Sequence, residues 1–129
     1  MSPVDAAVVR RKLAHILATI ETLRPIAGFT LAEYRARVWE RKATERLLQE
    51  AIEAALDVNY GTFLRLADLG IISPDLARAV APSAGLRNRL VHEYDEIDDA
   101  KVLASVSSTL QIYPRFVQSI ETWLETSGF

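Results

Sequence analysis

Residues 98–124 read Asp98-Asp-Ala-Lys-Val-Leu-Ala-Ser-Val-Ser-Ser-Thr-Leu-Gln-Ile-Tyr-Pro-Arg-Phe-Val-Gln-Ser-Ile-Glu-Thr-Trp-Leu124. Val102, Val106, Leu110, Phe116, Val117, Ile120 and Leu124 recur at the spacing that puts side chains on one face of an α-helix. Asp98 or Asp99 supplies the cap, because a short carboxylate accepts hydrogen bonds from the unpaired amides of a first turn. Pro114 lies inside the stripe; it lacks an amide and its ring crowds the preceding turn, so a kink is expected there. An apolar stripe this long needs other helices to cover it.

The upstream chain supplies them. Ser2 and Pro3 suit a helix start, and Val9, Leu13, Ile16, Leu17, Ile20 and Leu23 mark one buried face before Pro25 and Gly28 end the helix. Thr30-Leu-Ala-Glu33 has the form of a capping box. It opens a long helix through Leu31, Val38, Trp39, Ala43, Leu47, Ala51, Ile52, Ala55 and Val58, which Asn59-Tyr-Gly interrupts. A short helix is expected over 62–69, closed by Gly70. Ser73-Pro74 starts another, and Pro82-Ser83 begins one that runs to about Tyr94. No alternating strand pattern occurs. These features predict an all-α fold, an antiparallel bundle of about five helices in a single domain spanning residues 1–129.

Composition agrees with a folded chain: 50% of the 129 residues are apolar and 25% charged, with five Gly and five Pro. The absence of cysteine excludes disulfides, thiolate metal sites and cysteine nucleophiles. No stretch is apolar enough for a membrane span. The first positive charges, Arg10-Arg-Lys12, follow a short apolar run, the reverse of a signal peptide, so a cytoplasmic location is expected. A net charge of −2 argues against nucleic-acid capture by a global positive field. Capture of RNA would then rest on a local basic groove drawn from Arg35, Arg37, Arg41, Lys42 and Arg46, each of which could equally belong to a solvated face.

The chemistry concentrates in Gly85-Leu-Arg-Asn-Arg-Leu-Val-His-Glu-Tyr-Asp-Glu-Ile-Asp98. Arg87 offers a fork of donors shaped for phosphate, and His92 is the side-chain type whose ordinary pKa lies near neutrality. Together they suggest work on a phosphodiester. The interval alone is weak, since Arg10 and His15 repeat it in the first helix, where His15 is expected to be a partly buried structural residue. Asn88 and Tyr94 set the second occurrence apart.

With those residues the segment resembles the signature of the HepT-like branch of HEPN-domain proteins, an arginine, four residues, a histidine, one residue and a tyrosine. Glu45-Arg-Leu-Leu-Gln-Glu-Ala-Ile-Glu53 is similar to the family's second-helix segment. The resemblance implies a homodimeric helical bundle that acts as the toxin of a prokaryotic toxin–antitoxin pair, a metal-independent endoribonuclease. It also implies a minimal nucleotidyltransferase antitoxin that adds AMP to the motif tyrosine, here Tyr94. ATP and magnesium would then be used by that partner, and this chain would need no cofactor.

On a helix, Arg87 and His92 are about 140° apart, whereas Asn88 and His92 are about 40° apart. Leu86 and Leu90 occupy a separate arc that can face the core. A single motif helix therefore does not converge its arginine and histidine, and two such helices facing each other in a dimer would. In that composite cleft His92 serves as general base or acid, Arg87 stabilises phosphate charge, and Asn88 supports either. The competing reading is a non-catalytic helical dimer that binds nucleotide or docks a nucleotidyltransferase, with Arg87 paired to Glu93 or Asp95 and His92 closing a helix end. Asp95, Glu96, Asp98 and Asp99 are read as caps and solvated charges rather than a magnesium site, and Glu53 with Asp57 as a solvated face. Trp39 and Trp123 are read as core or interface residues.

Overall fold

The computed structural model describes residues 6–59, 63–92 and 97–127. They form helices α1 (Ala6–Leu23), α2 (Leu31–Ala36), α3 (Val38–Asn59), α4 (Phe63–Asp68), α5 (Pro74–Val80), α6 (Pro82–His92) and α7 (Asp99–Thr126), with a 3-10 turn over Arg24–Gly28. No strand occurs among the described residues. The expected all-α fold is what forms.

α1 lies between α3 and α7, α3 reaches across to α6, and α5 bridges α6 to α7, so the helices close around one core. Lys12 pairs with Asp57 and His15 lies against Glu50, so residue numbers rise on α1 as they fall on α3 and the two helices are antiparallel. The buried faces interlock as their spacing requires: Leu13, Ile16, Ile20 and Leu23 from α1, Leu48, Ile52 and Ala55 from α3, and Val102, Val106, Phe116, Val117, Ile120 and Leu124 from α7. Each large apolar side chain buried this way contributes about 1.5–3 kcal/mol. Two threonines inside the bundle satisfy themselves locally, Thr19 Oγ1 donating to the His15 carbonyl (2.8 Å) and Thr44 Oγ1 to that of Glu40 (2.6 Å).

The local signals act as their chemistry dictates. Glu33 N–H donates to Thr30 Oγ1 (3.1 Å) while Thr30 N–H donates to Glu33 Oε1 (2.9 Å), completing the capping box. Ser73 Oγ accepts from Leu76 N–H (3.1 Å), and Gly70 adopts φ +74°, the left-handed conformation that favours glycine. Asp98 Oδ1 accepts from the amides of Ala100 (2.9 Å) and Lys101 (3.3 Å). α7 continues through Pro114 as one unbroken helix of 28 residues. Tyr113, Phe116 and Val117 stay buried on either side of the proline and hold both halves to the same core.

The single long helix expected from Thr30 to Asn59 is instead two. Arg37, at φ −105° and ψ 85°, separates α2 from α3, its guanidinium lying 4.8 Å from the centre of the Phe29 ring. The break resets the helical phase. Tyr34, Thr44, Leu48 and Ile52 face the core, and Trp39, read as core or interface, is 86% exposed beside Val38 at 54%. Ser2, Pro3 and Tyr94 lie outside the described residues.

Candidate functional site

α6 presents the motif because its two leucines leave little choice. Leu86 and Leu90 are buried, four residues apart, and fasten one face of α6 to the core next to α3. Arg87, Asn88 and His92 must then occupy the outer arc. Arg87 is half-buried there. Its Nε donates to Glu53 Oε1 of α3 (3.1 Å) and its Nη1 to Asn88 Oδ1 (3.3 Å). Gln49 Nε2 also donates to Glu53 Oε1 (3.1 Å), which fixes the carboxylate from the other side. Of the five N–H donors of a guanidinium, two are engaged among the described residues, by Glu53 and Asn88.

His92 ends α6 and is exposed. It stands five residues from Arg87, about 7.5 Å along the axis and about 140° around it. It has no hydrogen bond or ion pair with any other described residue. The structure therefore brings Arg87, Asn88 and Glu53 together and leaves His92 apart from them within one chain. Glu93 and Asp95, considered as partners for Arg87, lie outside the described residues, and the described partner is Glu53.

His15 departs from its expected role. It is exposed rather than partly buried, with Nε2 4.0 Å from Glu50 Oε2. It lines an open groove of about 470 Å³ between α1 and α3 with Arg11, Lys12, Glu50, Glu53 and Asp57. Glu53 thus touches Arg87 on one side and borders this groove on the other. Lys12 binds Asp57 (3.1 Å) and Arg46 binds Glu50 (3.2 Å), so these two carboxylates of α3 beside the groove are each met by a cation.

Of the acidic residues read as caps and solvated charges, Asp98 caps α7 as expected, whereas Asp99 is largely covered and forms a long-range ion pair with Arg41 (3.4 Å). Glu45 lies beside them, its carboxyl raised above the ordinary range by burial first and by the Asp99 charge, against the opposing pull of Lys42 and Arg41. Among the described residues no three His, Asp or Glu side chains form a metal-binding group. Glu53, by contrast, is more than a solvated face. Its partner lies 34 positions away, so no spacing rule points to the pair.

The closed helical bundle is shared with the structure of YutE, a cytosolic protein of unknown function from Bacillus subtilis, at TM-score 0.84 and 17% identity over 98% of this chain and 95% of that one. The sequence goes further. The family described as Ribonuclease HepT-like matches residues 16–120. The tRNA nuclease HepT of Aphanizomenon flos-aquae is 34% identical across 98% of this chain and 96% of its own. A candidate RNase of Archaeoglobus fulgidus is 34% identical over 60% of this chain and 70% of its own. This chain belongs to the HepT-like ribonuclease family.

Proposed function

We propose that this protein is the toxin of a toxin–antitoxin pair and cuts RNA at a cleft shared by two copies of the chain. The carrying observation is that Arg87 is clamped by Glu53 and Asn88, which among the described residues take two of its five donors, while exposed His92 lies on a different sector of α6. A second copy related by a twofold axis supplies the missing histidine, because facing motif helices exchange their outer arcs. Family membership and the tRNA nuclease relative support RNA as substrate.

In the reaction His92 takes the proton from a ribose 2′-hydroxyl, and the 2′-oxygen bonds to the neighbouring phosphorus. The bond from phosphorus to the 5′-oxygen breaks, and that oxygen receives a proton. The products are a 2′,3′-cyclic phosphate and a 5′-hydroxyl. Arg87 donates to the phosphate oxygens as charge builds, and Asn88, whose oxygen is occupied by Arg87, has its amide protons for the same phosphate or for orienting the histidine. The partner nucleotidyltransferase joins the Tyr94 hydroxyl to the α-phosphorus of ATP and releases pyrophosphate, leaving a bulky anion beside Arg87 that blocks the cleft. ATP and magnesium serve that partner, and the toxin acts in the cytoplasm without a metal of its own.

A labelled RNA pool tests this. Cleavage that survives EDTA, yields cyclic phosphate ends and falls by about 10²–10³-fold in Arg87→Ala or His92→Ala is expected. Undiminished cleavage by folded His92→Ala overturns the mechanism. Fully active monomer on dilution overturns the shared cleft, and AMP found only on residues other than Tyr94 overturns the mode of neutralisation.

A further inference from the structure

The outer face of α3 carries a line of side chains that starts at Glu53 and, beyond that carboxylate, has no part in the proposed cleavage. At about 100° per residue, Trp39, Lys42, Arg46, Glu50 and Glu53 fall within about 60° of one direction and form one exposed stripe. At one end Glu53 holds Arg87. At the other, Trp39 presents its indole at 86% exposure, the most exposed of the large apolar side chains among the described residues, about 21 Å away at 1.5 Å per residue. Val38 beside it is 54% exposed, so the two form a contiguous wetted apolar patch rather than a lone surface side chain, and such patches mark contact surfaces.

Its surroundings choose the partner. Around Trp39, residues 30–46 hold five cations (Arg35, Arg37, Arg41, Lys42 and Arg46) against three acids (Glu33, Glu40 and Glu45), although Arg41 is paired to Asp99 and Arg37 lies over the Phe29 ring; toward the cleft the stripe carries Glu50 and Glu53, each paired to a cation, Arg46 and Arg87. Arg35 is exposed and has no ion pair with a described residue. Lys42 meets Glu45 only at 3.9 Å, and Arg46 spends its Nε on Glu50 while its side chain stays 64% exposed. A flat ring flanked by available cations complements a stacked base flanked by phosphates. A single indole stacks only on an unpaired base, so the complement is a single strand. A second copy of the chain as the occupant would instead make the oligomeric state depend on Trp39.

We propose that the exposed stripe of α3 is the track for the single strand of RNA leaving the Arg87 cleft, with Trp39 stacking on a base on the order of four to six nucleotides from the cleaved bond, at 3.4 Å or somewhat more per base. The proposal rests on the cleavage proposed above, and its test separates the two. Oligoribonucleotides of 3 to 12 residues would be cleaved by full-length protein and by Trp39→Ala and Trp39→Phe. Binding of a 12-residue 2′-deoxy oligonucleotide, which lacks the attacking hydroxyl, would be followed for every variant by the anisotropy of a dye carried on the oligonucleotide, with Trp39 fluorescence read separately in a Trp123→Phe protein that keeps Trp39. The expected results are quenching on binding, affinity for the oligonucleotide weakened roughly 5- to 100-fold by Trp39→Ala, most of it kept by Trp39→Phe, and a wild-type KM that falls with length until the strand reaches Trp39. Wild-type cleavage with no length dependence, or equal affinity in Trp39→Ala, overturns the track and leaves the nuclease reading intact. A Trp39→Ala protein that becomes monomeric in sedimentation makes the patch a protein interface and also overturns it. Wild-type protein that cuts none of the oligonucleotides, nor the RNA pool, overturns the nuclease reading instead.

Discussion

Replacing Glu53 probes how the fold prepares Arg87. The pair joins Arg87 Nε to Glu53 Oε1 at 3.1 Å, with each side chain about a third exposed, 32% and 35%. Fully exposed pairs contribute about 0.2–1 kcal/mol, and breaking a buried pair costs about 3–5. A site open to this degree lies near the lower figure, so Glu53→Ala should cost about 1 kcal/mol of folding stability. The catalytic effect should be larger than that implies, because the carboxylate restrains a long side chain that otherwise spreads over many rotamers. A tenfold loss in kcat, equivalent to about 1.4 kcal/mol, is expected. KM should not rise, since removing the carboxylate also removes a charge that repels RNA phosphates. Glu53→Gln keeps an oxygen that can accept from Nε and should recover most of the rate. The assay is steady-state cleavage of a fluorogenic oligoribonucleotide by wild type, both Glu53 variants, Arg87→Ala and the double alanine variant. In the Arg87→Ala background the Glu53→Ala penalty should vanish, because nothing is left to position. A penalty of equal size in both backgrounds, or wild-type kcat in Glu53→Ala, refutes the positioning role.

The remaining predictions concern the scaffold. Glu45 has its folded pKa raised, chiefly by burial. The native state therefore holds that proton more tightly than the unfolded chain, and the associated stability, present below the ordinary carboxylate range, is lost as pH rises through the folded value. Glu45→Gln should thus be more stable than wild type at pH 7, with the gap closing toward pH 4; a gap in urea midpoint that widens on acidification contradicts this. Phe116, fully buried and tilted against Tyr113 with ring centres 6.2 Å apart, should cost about 3–5 kcal/mol as Phe116→Ala, a loss below about 1 kcal/mol being incompatible with its place in the core. Asp98→Ala releases the amides of Ala100 and Lys101 and should cost about 1 kcal/mol in urea unfolding, whereas Asp98→Asn should recover most of it.

The caps show how far local chemistry reaches. Thr30 with Glu33, Ser73 with Leu76, Asp98 with Lys101 and the positive φ of Gly70 each involve groups within three or four residues, so the pattern of residue types specifies the geometry. The burial of Leu86 and Leu90 was legible for the same reason, and with it the outward placing of Arg87, Asn88 and His92. The error at Arg37 has an equally definite origin. Capping at Thr30 starts a helix but says nothing about where it stops, and once Arg37 left the helix every later position turned on its axis. The apolar set through Val38, Trp39 and Ala43 then described a face that points to solvent.

Sequence by itself determined the helical class, the main helix boundaries and the residues of the motif, because propensity, capping and 3.6-residue periodicity are interactions within a turn or two of the chain. Tertiary structure alone decided which carboxylate meets Arg87, that His15 lines a groove rather than the core, and that Trp39 stands in water. Those outcomes depend on how α1, α3 and α6 sit against one another. That arrangement is fixed by the summed packing of side chains up to a hundred residues apart, and no short window of sequence carries it.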